Sequence, residues 1–156
     1  MAYLGKKYEL DSKNDTEAIR MSLAMEQVDD MRNGIRRLAY VPMEVTNRLE
    51  VHEALKKEYV ASIPTKLGLI AKFLGSNKWI AGDRLTYADF WVYDVLDFHR
   101  LLFNPKHFNV FPTLVAYMER IEGLKGVKEF LNKMDRLPTH APFALIGNSK
   151  DYKPTD

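Results

Sequence analysis

Residues 77–100 read "NKWIAGDRLTYADFWVYDVLDFHR", and one short piece, Leu85 to Phe90, decides what kind of chain this is. Thr86 and Asp89 stand three apart, the spacing of a helix N-cap and its N3 partner, with aspartate in place of the usual glutamate or glutamine. Leu85 and Phe90 occupy the two positions of a hydrophobic staple around that start. A helix beginning at Thr86 follows. Losing the Thr86 hydroxyl is expected to cost about 1 kcal/mol, the usual effect of removing a side-chain N-cap. The helix beyond, "YADFWVYDVLDFHRLLF", is apolar around most of its circumference, which marks it as the central and most buried one. Asp89 is read as structural, and Asp94 and Asp97 are expected to hydrogen-bond to neighbouring helices, because a buried carboxylate needs a partner.

Upstream, Asn14 and Glu17 have capping-box spacing, and Ala18, Met21, Met25, Val28, Ile35 and Leu38 recur at three- and four-residue steps apart from one polar gap at Arg32. This is a long amphipathic helix from about residue 15 to Tyr40, ended by Val41-Pro42 because proline forces the residue before it out of helical geometry. A second helical pattern runs from about Leu49 to Leu74, with Gly75 at the C-cap and Pro64 as a place for a kink or a break. Downstream, Pro112 suits the first turn of a helix in "TLVAYMERIEGL", and a shorter helix follows in "GVKEFLNKM". No stretch alternates like a strand. The expected fold is all-α, a helical bundle of about five to six helices, with residues 11–136 as the helical domain and residues 137–156 as an irregular tail. Residues 1–10, "MAYLGKKYEL", carry spaced apolar side chains at Tyr3, Leu4, Tyr8 and Leu10 with no N-cap before them, and read as the end of a helix.

The 156 residues suit one domain with a single core, 46% apolar and 28% charged, and the net charge of +2 says little about partners. No apolar run is long enough to span a bilayer and no secretory h-region opens the chain, so the expectation is a cytoplasmic protein without a membrane partner. With no cysteine, thiolate catalysis, thiolate metal sites and disulfides are excluded. His52, His99, His107 and His140 show no ligand spacing, so no metal is expected, and basic residues interspersed with acids form no stripe for nucleic acid.

The turn Trp79 to Gly82, the capping pair Thr86 and Asp89, the helix segment Val92 to Asp97 and the helix start Phe111-Pro112 together resemble the C-terminal domain of cytosolic glutathione transferases, most closely the mu class. The resemblance covers nearly the whole chain. It implies that "YLGKKYEL" is the remnant of the helix closing a thioredoxin-like domain, and that the residues activating the glutathione thiol belong to that domain.

The resemblance also implies site residues. Tyr40, before Val41-Pro42, matches a tyrosine whose hydroxyl assists the electrophile, an auxiliary catalytic role. Asp30, ten residues earlier, matches an aspartate that reaches the glutathione of the neighbouring subunit, with Asp29 competing for the assignment. Arg32 and Asn33 fall on pocket-lining positions, and Asp29 and Asn33 stand where mu-class chains often carry methionine, so the pocket is expected to be more polar or differently shaped. Phe143 in "THAPFALIG" matches a pocket phenylalanine, and could equally cover the core.

The implied function is conjugation of glutathione, as co-substrate, to small hydrophobic electrophiles. This chain would supply the electrophile pocket and the homodimer surface, have no covalently bound cofactor, and be nearly inactive alone. The alternative is a non-catalytic protein- or ligand-binding helical module.

Overall fold

The computed structural model describes residues 1–133, 140–149 and 152–154. Among them are six α-helices: α1 (Ala2–Lys7), α2 (Asp15–Ala39), α3 (Arg48–Leu74), α4 (Tyr87–Leu102), α5 (Pro112–Glu122) and α6 (Lys125–Lys133), with a 3₁₀ turn at Pro105–Phe108. No strand occurs among the described residues, and none of their helices is long and apolar enough to cross a membrane. The end of the expected helical domain at 134–136 and the start of the expected tail at 137–139 lie outside the described residues.

The core is built on α4, which packs against α2, α5 and the 3₁₀ turn, while α2 also packs along α3. One face of α2 enters it through Met21, Ala24, Val28, Met31, Ile35 and Leu38; of the stripe read from the sequence, Ala18 is exposed and Met25 half-buried, while Ala24 and Met31 join the buried face. Gly34 lets α3 come close: a Cβ there would sit 2.4 Å from the Tyr59 ring. Pro64 neither ends nor splits α3. It lies on an exposed face, where water can satisfy the carbonyl left without its helical N–H.

The capping box at Thr86 forms, and Asp89 does more than cap. Its Oδ2 accepts the Thr86 N–H at 2.8 Å and the Thr86 hydroxyl at 3.0 Å, while Oδ1 accepts the Ile80 N–H at 2.8 Å and the Tyr117 hydroxyl at 3.0 Å. One buried carboxylate thereby fixes the Trp79–Gly82 turn, the start of α4 and α5. Burial pushes its pKa up, against these four donors, which favour the charged form.

Residues 1–11 dock in an unexpected way. Tyr3, Leu4 and Tyr8 remain exposed, and α1 instead presents Gly5, whose missing side chain leaves room for the Tyr87 ring. The Leu10 carbonyl accepts the Tyr87 N–H at 2.9 Å, and Arg84 donates to the carbonyls of Glu9 and Asp11 and to the Glu17 carboxylate. Polar ties to the start of α4, together with the seat of the Tyr87 ring on Gly5, hold this segment.

Candidate functional site

Tyr40 is the C-cap of α2, and residues 140–149 fold back onto it. The Leu145 N–H donates to the Ala39 carbonyl at 2.9 Å, and Arg48 donates to the carbonyls of Val41 (2.8 Å) and Phe143 (2.9 Å). Ala144 and Ile146 are buried in the core, so it is they, not Phe143, that anchor the segment: Phe143 is 62% exposed. The Phe143 ring lies 5.7 Å from that of Tyr40, so the two are neighbours.

The Tyr40 hydroxyl accepts the Ala141 N–H at 3.2 Å. A hydroxyl that accepts from a backbone donor keeps its own proton for another acceptor. His140 completes the cluster, its ring 5.5 Å from Tyr40 and 5.9 Å from Phe98 of α4, and burial lowers its pKa, which favours the neutral imidazole. Tyr40, Phe98, His140 and Phe143 thus form an aromatic wall around one phenolic O–H.

A second group lies nearer the middle of α2. Arg32 donates to Asp94 of α4 at 2.6 Å and places its guanidinium 4.9 Å from the centre of the Trp91 ring. The Trp91 indole N–H donates to Asp29 at 2.9 Å. Asp94 therefore bonds to a neighbouring helix as expected; Asp97 accepts from Arg100 of its own helix, and Arg100 reaches on to Glu122 of α5. Positions 29, 32, 36 and 40 of α2 and 91, 94 and 98 of α4 recur at three- and four-residue steps and make two facing stripes. Arg32 and Tyr40 lie on the same stripe, separated by eight residues or roughly 12 Å of helix.

Asp30 and Asn33 are exposed. Asp30 lies roughly 160° around the helix from Arg32. It stands one turn before Gly34, which packs on Tyr59, and so on the α3 side of α2. The structure brings together Tyr40 and Phe143 and sets Arg32 further along the same stripe, against Asp94 and Trp91; Asp30 is not part of that stripe. Of the competing pair, Asp29 accepts the Trp91 indole N–H and Asp30 is exposed.

Sequence reasoning missed Trp91, Phe98 and His140. A signal for Trp91 was available: an indole N–H on a helix facing α2 needs an acceptor, and Asp29 stands where methionine was expected. His140 gave none, since ring stacking leaves no mark in spacing.

One other titratable group is deeply buried. His99 places Nδ1 2.8 Å from the Val95 carbonyl, which can only accept, so Nδ1 carries the proton. Nε2 then accepts from the Tyr59 hydroxyl at 2.7 Å, and that hydroxyl also lies 2.9 Å from the Met31 carbonyl. Burial lowers the His99 pKa to about 4, against the hydrogen bond to the Val95 carbonyl, which raises it, with the positive charge of Lys66 adding to the lowering. This is a neutral tie between α2, α3 and α4, away from the groove. No cluster of metal-binding side chains occurs among the described residues.

Residues 29–134 match the family model described as glutathione S-transferase, C-terminal domain. The chain is 38% identical to glutathione S-transferase Mu 1 of Bos taurus over 138 residues, which cover 88% of this chain and 59% of that protein. It is 35% identical to a glutathione S-transferase of Mesocricetus auratus over 152 residues, 96% of this chain and 65% of that protein. It is similar to the crystal structure of the glutathione S-transferase Blo t 8, with a TM-score of 0.81 and 26% identity, covering 94% of this chain and 67% of that one. A Pi-class glutathione S-transferase of Onchocerca volvulus gives a TM-score of 0.75 and 26% identity, covering 92% and 67%. The chain spans about three fifths of the length of the curated relatives it matches. With two thirds of its residues inside the family model and the helical architecture in place, this chain belongs to the glutathione S-transferase C-terminal domain family.

Proposed function

We propose that the chain supplies the electrophile-binding half of a mu-like glutathione transferase acting on small hydrophobic electrophiles. The observation that carries this reading is the Tyr40 hydroxyl, which accepts from the Ala141 N–H and stands in an aromatic wall with its own proton left to donate. In conjugation the glutathione sulfur bonds to the electrophilic carbon and negative charge moves onto the acceptor, for an unsaturated ketone onto its oxygen. A phenolic O–H aimed at that oxygen is stronger in the transition state than in the ground state, the condition for raising the rate.

The thiol must be activated elsewhere, because a thiolate at neutral pH needs a donor or a positive charge beside the sulfur. In this proposal a thioredoxin-like domain, from the same polypeptide or another, provides it. Asp30, exposed on the α3 side of α2, is available to the cationic α-amino group of glutathione held by the neighbouring subunit of a homodimer. Arg32, Asn33 and Phe143 line the acceptor side, and the assembly works in the cytoplasm.

The test measures conjugation of glutathione to 1-chloro-2,4-dinitrobenzene by the 156-residue chain alone and with a mu-class thioredoxin-like half. Background rate alone and turnover on complementation are expected. Turnover at enzyme level by the chain alone would overturn the division of labour.

A second reading, a non-catalytic binding module, is favoured by a cleft of about 510 Å³ between α2 and α3, lined by Leu23, Ala24, Leu69, Ile70 and Phe73. Capture of a stable protein partner together with no retention on glutathione resin would support it over the first.

A further inference from the structure

We infer that Trp91 is a specificity-determining residue: with Arg32 stacked on it, it forms a platform that selects planar, uncharged conjugated acceptors and turns away anionic ones. The inference rests on the reading of the α2–α4 groove as the acceptor site. It starts from the Arg32 guanidinium, 4.9 Å from the Trp91 ring centre and 2.6 Å from Asp94, with 40% of the Arg32 side chain still exposed. A planar guanidinium held on an aromatic ring offers its outer face to another flat π-system. Asp29 holds the platform from below by accepting the indole N–H at 2.9 Å.

The charges set the preference. Asp94 already neutralises Arg32, so the guanidinium is a flat surface more than a free cation, and Asp29 adds a second carboxylate at this end of the groove. A sulfonate or carboxylate on the ligand ring would meet both. The next α2 position in the stripe is Arg36, one turn before Tyr40, so charge along the groove runs from acidic at Trp91 to basic at Tyr40. That gradient points an acceptor's uncharged ring at Trp91 and its electron-withdrawing oxygen at Tyr40.

The chain has two tryptophans, Trp79 and Trp91, so two indole N–H resonances report the test directly without catalysis. Trp91→Phe assigns them, and Asp29→Asn, which keeps an acceptor for the indole, does so again through its shift. The ¹⁵N-labelled chain is titrated at low ionic strength, where exposed charges are least screened. The probes are naphthalene-2-sulfonamide and naphthalene-2-sulfonate, which share a ring and differ in charge. The sulfonamide is expected to move the Trp91 resonance and leave Trp79 in place. The sulfonate should bind roughly tenfold more weakly, the effect of about one uncompensated charge at partly exposed range. Asp94→Asn should tighten the sulfonate and narrow the gap to about threefold or less.

A sulfonamide that does not move Trp91, a sulfonate that binds as well, or a gap untouched by Asp94→Asn would each overturn the inference. Failure of glutathione conjugation with the Trp91 shift intact would count against the proposed enzyme and leave the platform standing. Conjugation without the shift would sink the platform alone.

Discussion

Acid should loosen this fold at one identifiable place. His99 is 1% exposed and its imidazole is neutral, because burial lowers its pKa from 6.5 to about 4. In the unfolded chain the same group takes up its proton near 6.5. Below that pH the unfolded state binds a proton that the folded state refuses, so stability falls as pH drops. The contribution is fully present above about 6.5, declines between about 6.5 and about 4, and is constant again below about 4. At 1.36 kcal/mol for each pKa unit, the loss across that window is about 3 kcal/mol, a large part of the usual stability of a domain this size. The assay is urea unfolding followed by circular dichroism at several pH values from 7.5 to 4, on the wild-type chain and on His99→Gln. The variant keeps a polar group near Tyr59 but cannot titrate. It should be less stable at pH 7.5 and lose about 3 kcal/mol less than wild type on going to pH 4. Parallel curves would refute the reasoning, because the carboxylates common to both proteins would then account for all of the acid sensitivity.

Four other outcomes are expected. Asp89→Ala leaves three buried donors without an acceptor and the Tyr117 hydroxyl with only the backbone carbonyl of residue 89, and should cost more than about 3 kcal/mol in urea unfolding, well beyond the effect of Thr86→Ala. Gly34→Ala drives a methyl group to 2.4 Å from the Tyr59 ring and should destabilise by about 1–3 kcal/mol, read the same way. Arg48→Ala removes the donor shared by the Val41 and Phe143 carbonyls, so limited proteolysis should cut within 140–149 faster while the bundle keeps its helical signal. Tyr40→Phe in the complemented enzyme should lower kcat for an unsaturated ketone by roughly tenfold or more, since one donor to the developing oxyanion is lost.

The parts of the fold legible in the sequence are those set by local chemistry. Asn14 with Glu17, and Thr86 with Asp89, mark helix starts because an N-cap and its partner must sit three residues apart, and both capping contacts form where that spacing puts them. The stripe from Met21 to Leu38 marks a buried face because 3.6 residues make a turn. What escaped the sequence depends on contacts between residues far apart. Pro64 has the same local effect in any helix, and only the exposed position it takes decides that α3 continues. Tyr3, Leu4 and Tyr8 are the spaced apolar residues of the first segment and stay exposed, while Arg84, about seventy-five residues on, holds that segment by its backbone.

The same distinction runs through the site. Tyr40 and Phe143 could be named from a motif, but the bond that leaves the Tyr40 proton available comes from the Ala141 backbone, and a backbone N–H has no letter in a sequence. Arg32 could be named too, yet its chemistry is decided by Asp94 and Trp91, sixty residues away and on another helix. A free arginine in an apolar groove would favour anions; an arginine paired with a carboxylate and laid on an indole presents a flat, neutralised face. The sequence places Arg32 on this face of α2, and its partners on α4, Asp94 and Trp91, set the charge and the surface it presents. For this reason exchanging Asp94 is a sharper probe of acceptor choice than exchanging Arg32 itself: it changes the charge of the platform while leaving every atom of the guanidinium in place.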